Sequence, residues 1–349
     1  NCDTKPAKRP VVTLIAIWFG LSAVALAAPT NTMASSILWT TTGVFVSSIW
    51  FLAYAAADQK TKDAAPTAAR ASFMRPFWGG SATPIGKSFS YLNKFDAKDE
   101  TELAATRLKA LKLAVWALIL TGLWTAFEWL LRDQFGLPEL NAAILAHAHG
   151  TGFSGTQNWA SLLSNYFLDL IIIAVWGHFI VAIIRMCGYR IPRNTANPLA
   201  SRTLAEFWNR YFFYFKELLV DFFFYPAFVR WFKKSPKLRI AFATFCAAGL
   251  GNFLYHFMRE THVFATMEWR DALAVFQNAA FYSLALATGL ILSQLRKRKP
   301  QPEDGFWRYQ VTPRIGVITF FCFLKIFDDI TGIGSLSERA AFTLSLFAL

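Results

Sequence analysis

The chain has 349 residues, 55% of them hydrophobic and only 16% charged, against about 25% charged in a soluble globular protein. Aromatics at 17% and a positive mean hydropathy exclude an ordinary water-soluble pair of domains and point to one polytopic bundle. The net charge of +13 would suit a nucleic-acid binder, but the Lys and Arg residues sit between apolar runs. They are therefore assigned to a membrane face, with no nucleic-acid partner.

Runs of about twenty apolar residues mark transmembrane helices. They fall near residues 11–28, 37–57, 111–131, 162–186, 238–258, 272–295 and 315–330, and a last one begins near Arg339. The first run, with Lys5, Lys8 and Arg9 before it and Ala-Leu-Ala-Ala-Pro at its end, resembles a signal peptide. The second run follows so closely that a hairpin anchor is the better reading. The chain opens on Asn1 and closes in an apolar Phe-Thr-Leu-Ser-Leu-Phe-Ala-Leu, which reads as a helix cut short. The expected fold is all-α: a single membrane-embedded bundle over 1–349, with in-plane or re-entrant amphipathic helices.

The loop 58–110 carries Lys60, Lys62, Arg70, Arg75, Lys87, Lys94, Lys98, Arg107 and Lys109, with small turns at Trp78-Gly79-Gly80 and Pro84-Ile85-Gly86. It predicts short interfacial helices. Together with Arg190, Arg193, Arg202 and the cluster Arg296-Lys297-Arg298-Lys299, these cations fall on one side when the passes alternate. The segments 132–159 and 259–271 are poor in Lys and Arg. The positive-inside rule then predicts a multi-pass protein of the inner (cytoplasmic) membrane with a cytoplasmic N-terminus.

The stretch Glu-Phe-Trp-Asn-Arg-Tyr-Phe-Phe-Tyr-Phe-Lys-Glu-Leu-Leu-Val-Asp-Phe-Phe-Phe-Tyr-Pro at 206–226 is too polar to cross a membrane and too apolar for a loop. Glu206, Arg210, Glu217 and Asp221 are spaced four, seven and four apart, so they share one face of a helix over 205–231. That face is either solvated at the membrane surface or lines a polar chamber inside the bundle. Pro226 is expected to end or kink the helix. Farther on, Gly249, Asn252 and His256 recur at spacings of three and four within an apolar run. A histidine there is either a cross-helix hydrogen-bond partner or a group that takes and returns a proton.

Other polar residues carry less. Asp169 and His178 lie nine apart, on opposite faces of one helix, and read as separate interhelical partners. His147 and His149 form a His-x-His with no acidic or Cys residue close by, so no metal is expected. Cys246 and Cys322 sit in apolar segments as small buried hydrophobes, and no Cys-x-x-Cys spacing occurs. Glu128 and Asp328-Asp329 are placed near helix ends or an aqueous vestibule, and Glu260 and His262 near an outer entrance. No internal repeat, Walker A loop or Rossmann glycine fingerprint is present.

Phe207-Trp208, Arg210, Tyr211, Asp221-Phe222 and Pro226, followed by Gly249-Leu250 through Tyr255-His256, resemble the signature of the membrane-bound O-acyltransferase superfamily. The likeness is closest to its bacterial polysaccharide and teichoic-acid branch and covers about sixty residues. It implies a transferase of the cell envelope that moves a short acyl group, acetyl above all, from acyl-CoA to a hydroxyl. The acceptor would be a glycan or lipid, sometimes reached through an extracytoplasmic partner protein. His256 would be the general base with Asn252 beside it. Trp208, Asn209, Arg210, Phe212, Glu217 and Asp221 would line the substrate chamber, with Glu217 or Asp221 orienting His256. One departure stands out: the family places His or Asn where this chain has Phe212. Two other readings stay open, a proton-coupled transporter or flippase and a non-catalytic scaffold.

Overall fold

The computed structural model describes residues 10–29, 32–58, 66, 83–296, 301–329 and 332–347. Cys2, Lys5, Lys8, Arg9, Lys60, Lys62, Arg70, Arg75, the Trp78-Gly79-Gly80 turn and Lys297-Arg298-Lys299 lie outside them. Among the described residues there is no strand, only an isolated bridge between Asp96 and Tyr189. The helices in order are α1 Pro10–Ala27, α2 Met33–Asp58, α3 Phe89–Lys94, α4 Glu100–Glu128, α5 Leu140–Ala148, α6 Gly155–Met186, α7 Leu204–Tyr211, α8 Phe213–Leu219, α9 Tyr225–Arg230, α10 Pro236–Thr244, α11 Asn252–Arg259, α12 Trp269–Val275, α13 Gln277–Leu295, α14 Thr312–Lys325 and α15 Leu336–Ser345.

Six helical stretches are long and apolar enough to cross a bilayer: Pro10–Ala27, Met33–Asp58, Glu100–Gln134, Gly155–Met186, Pro236–Arg259 and Trp269–Leu295. The chain is a multi-pass helical membrane protein. Several spans extend beyond the predicted apolar cores because capped polar turns prolong them. Asp99 accepts the Glu102 N–H at 2.7 Å to start α4, and Ser154 forms a reciprocal capping box with Gln157 to start α6. The lipid face is legible on α4, where Leu108, Leu111 and Leu118 are more than half exposed while Ala110, Leu113 and Ala117 are fully buried. That small inner stripe lets α4 run alongside α6, and the exposed side is acceptable only in hydrocarbon.

The predicted span 315–330 is corrected. Helix α14 continues N-terminally into a π turn, Trp307–Val311, so this helical stretch lies toward the N-terminal side of the predicted run. It carries Arg308, Gln310 and Arg314, which leaves it outside the six apolar spans. It stops at Lys325 because Asp328 and Asp329 turn back into the bundle to meet cations.

The stretch 205–231 is also corrected: it is not one helix. Phe212, at φ −139° and ψ 74°, separates α7 from α8, and a π turn, Val220–Phe224, joins α8 to α9. The backbone groups freed at Phe212 find partners in the loop before α7. The Ala196 N–H donates to the Arg210 carbonyl (2.8 Å) and the Thr195 hydroxyl to the Tyr211 carbonyl (2.8 Å). The Phe213 and Tyr214 N–H groups donate to the Asn194 carbonyl (3.0 Å) and side-chain oxygen (3.2 Å). Every break in a buried helix needs such substitutes. Pro226 does not end the helix either. It sits in the first turn of α9, directly after the π turn, where the i→i−4 ladder is already interrupted.

Candidate functional site

Another π turn, Phe245–Gly251, lies inside the span Pro236–Arg259 and delivers Asn252 and His256 onto one side of α11. Gly251 allows this turn to meet the one at the end of α8. A Cβ there would lie 2.7 to 3.0 Å from three ring atoms of Phe223, in the Val220–Phe224 turn. Gly249 belongs to a different contact, since its Cβ would touch the Phe245 ring and Ala287 of α13. It closes the helix packing behind the site and does not share the site itself.

Asn252 and His256 line a partly open chamber of about 720 Å³ in the bundle. Asn252 is 0% exposed, and neither its amide nitrogen nor its oxygen has a hydrogen-bond partner among the described residues. The same holds for Nδ1 of His256. The imidazole is held by aromatic contacts, with the Phe215 ring at 6.2 Å and the Tyr255 ring at 5.5 Å. The cross-helix hydrogen bond considered for His256 is therefore not made through Nδ1. A buried polar pair without internal partners has its bonding capacity available to whatever enters.

Of the residues expected to line the chamber, Trp208 and Phe212 do so, on the same cavity as His256. Four others do not. Asn209 is exposed, and Arg210 pairs with Glu206 at 2.6 Å on the same helix. Glu217 and Asp221 are both held by Lys87, at 2.5 and 2.9 Å, and Asp221 also accepts from the Tyr54 hydroxyl at 2.8 Å. The break at Phe212 puts Glu206 and Arg210 on one helix and Glu217 on the next, with Asp221 in the π turn beyond it. Glu217 and Asp221 are therefore not placed to orient His256.

Lys87 reaches them because part of the basic loop inserts into the bundle. Thr83, Ile85 and Ser88 are buried, Ile85 lines the chamber, and the Thr83 and Tyr255 hydroxyls lie 3.0 Å apart. Among the described residues of this loop, α3 is a short helix of six residues. Lys87 itself has φ +60°, uncommon for a side chain with a Cβ. Burial pushes the Lys87 ammonium down, but its hydrogen bonds to Glu217 and Asp221 outweigh that and hold it above the ordinary lysine value. Burial likewise pushes the Glu217 carboxyl up, and bonds from Lys216 and Lys87 overturn this, leaving it below the ordinary carboxylate range.

The chamber also contains charge, of which the sequence reading weighed Asp328 but not Lys325 or Arg259. Lys325 and Asp328 line it with Tyr211, Tyr282 and Arg259. Lys325 is paired with Asp169 across from α6 and with Asp328 at 2.9 Å. Asp169 is thus an interhelical partner, as its isolation on α6 implied. Asp329, expected at a vestibule, is instead buried against Arg339 at 2.8 Å. The signal for this cluster was a lysine in an apolar run with an aspartate three residues on. Asn194, 2% exposed, has no such signal. It lines the chamber and lies against Gly177, where a Cβ would come within 2.8 Å of its side chain.

His178 is buried with no described partner at Nδ1, and His147 lies edge-on to Phe342 at 6.0 Å. Glu128 pairs with Arg132 at 3.4 Å. Glu260 accepts from Arg259 at 2.7 Å, beside the exposed His262. Cys322 is buried and Cys246 partly so. Among the described residues no three His, Cys, Asp or Glu side chains converge on a common point. No protein-family model and no curated protein matches the chain.

Proposed function

We propose that this protein is a membrane-bound O-acyltransferase that moves a short acyl group, such as acetyl, from a thioester donor of the acyl-CoA class to a hydroxyl of a glycan or lipid acceptor. The observation that carries the proposal is the pairing of His256 with Asn252. Both are polar, both lack internal partners, and they lie one turn apart on the wall of one chamber in the helical bundle. In this reading His256 takes the proton of the acceptor hydroxyl as its oxygen attacks the thioester carbonyl carbon. The C–S bond breaks, the ester forms, and the proton passes to the departing thiolate. Asn252 donates to the carbonyl oxygen as it gains charge. Holding both substrates in one chamber supplies much of the acceleration by proximity. The basic loops support a donor side at the cytoplasmic face of the inner membrane, with the N-terminus on the same side.

The test is thioester cleavage by the purified protein, with acetyl-CoA as donor and free thiol as the readout. His256→Ala is expected to reduce cleavage by about 10²- to 10⁴-fold while leaving the unfolding temperature close to that of the parent, since Nδ1 has no bond to lose. Equal turnover in the two proteins would remove the proposed base.

A proton-coupled transporter is the second reading, and one observation favours it: the Asp169–Lys325–Asp328 ion cluster reaches the chamber wall. That reading expects Asp328→Asn to abolish substrate flux in reconstituted vesicles, with no thiol released by the wild-type chain.

A further inference from the structure

The turn ahead of the fifth span has features that the chamber does not explain. Between Asp221 and Glu260 the chain carries no acidic residue, yet Arg230, Lys233, Lys234, Lys237 and Arg239 fall within ten positions. Arg239 is used internally. Its guanidinium stacks 3.8 Å from the Phe228 ring centre and donates to the Phe228 carbonyl at 2.5 Å, tying α10 back onto α9. The other four cations are exposed, and none has an ion pair with a described residue.

The turn that presents them has an uncommon backbone. Phe232 has φ +52°, a left-handed conformation that side chains with a Cβ seldom adopt without support. The support is aromatic: the Phe232 and Trp231 rings both lie on Phe242 of α10, at 5.1 and 6.2 Å. Trp231 is nonetheless 57% exposed and Phe232 42%. The turn ends at Pro236, the first residue of a membrane span. It therefore stands at the level where lipid headgroups meet the hydrocarbon.

We infer that the 225–239 hairpin is a binding site for anionic phospholipid headgroups, with Arg230, Lys233, Lys234 and Lys237 taking the phosphates and Trp231 and Phe232 seated in the interface. Charge complementarity selects the partner, because four unpaired cations face a surface that carries negative charge in anionic membranes. Exposed Trp and Phe beside them fit the interfacial layer and would be poorly placed against a soluble polyanion in water. This site is independent of the acyl-transfer reading.

The test is competitive retention. The full chain is extracted from vesicles of equal parts phosphatidylcholine and phosphatidylglycerol, and the lipids that remain bound are identified by native mass spectrometry. The parent is expected to hold phosphatidylglycerol in excess. The variant R230Q/K233Q/K234Q/K237Q should lose that excess, by roughly fivefold per cation removed. Replacing Lys98 and Lys109 by Gln, cations from the other basic loop, should leave it intact. Should the fourfold variant fail to fold, K233Q/K234Q carries the same comparison. An excess unchanged in the hairpin variant, or lost equally in the control, would overturn the proposal. So would complete displacement of the lipid by inorganic phosphate, or tighter binding of heparin than of phosphatidylglycerol.

Discussion

Replacing Gly251 by Ala tests whether the π turns Val220–Phe224 and Phe245–Gly251 set the position of the candidate site. The new methyl would lie 2.7, 2.8 and 3.0 Å from three ring atoms of Phe223, whereas carbon atoms pack at about 3.5–4.0 Å. Either the ring or the turn must therefore retreat by most of an ångström. Overpacking of this kind costs about 1–3 kcal/mol. Because Asn252 follows directly and His256 is one turn farther, the displacement is expected to reach the chamber wall, where a shift of about 1 Å costs on the order of 10² in rate. Phe223→Ala removes all three offending atoms, so the double variant should be less destabilised than the sum of the two single changes. The coupling should be about 0.5–3 kcal/mol, the range for residues in contact. Thermal and denaturant unfolding in detergent measure the stability, and thioester cleavage measures the site. Strict additivity of the two substitutions would mean that the turns do not touch as described, and the reasoning from Gly251 to the site would fail with it.

The remaining predictions concern the supports of the chamber. Asn194→Ala leaves the Tyr214 N–H without its 3.2 Å acceptor at the α7–α8 break and is expected to lower stability by about 1–3 kcal/mol, read from unfolding in detergent. No change would show that the break is satisfied elsewhere. The Lys87–Glu217 pair predicts a pH window. Glu217 titrates below its ordinary 4.5, so its contribution is present above that pH and is lost as pH falls through the lower folded-state value. Lys87 titrates above its ordinary 10.5, so its contribution is complete below that pH and is lost as pH rises through the higher folded-state value. Unfolding temperature against pH should decline at both edges in the parent. Lys87→Met should flatten the alkaline edge, and an unchanged alkaline decline in that variant would count against the pair.

Much of the bundle was determined by the sequence alone. A bilayer demands about twenty apolar residues per pass whatever surrounds them, so six spans could be located from local composition, and polar caps such as Asp99 and Ser154 explain where the helices start. The common side of Asn252 and His256 was equally local, since an i,i+4 spacing survives any packing arrangement. The same periodic argument failed over 205–231. It assumes an unbroken helix, and the break at Phe212 exists only because Asn194, Thr195 and Ala196 take up the freed backbone groups. Tertiary structure alone also decided which charges meet. Lys87 finds Glu217 and Asp221 across more than a hundred residues, and Lys325 finds Asp169 on another helix. Periodicity states which face of a helix is polar but not what lies opposite. In a low-dielectric interior the opposing partner settles whether a charge joins a chamber, as Asp328 does, or is spent within the scaffold, as Glu217 and Asp221 are.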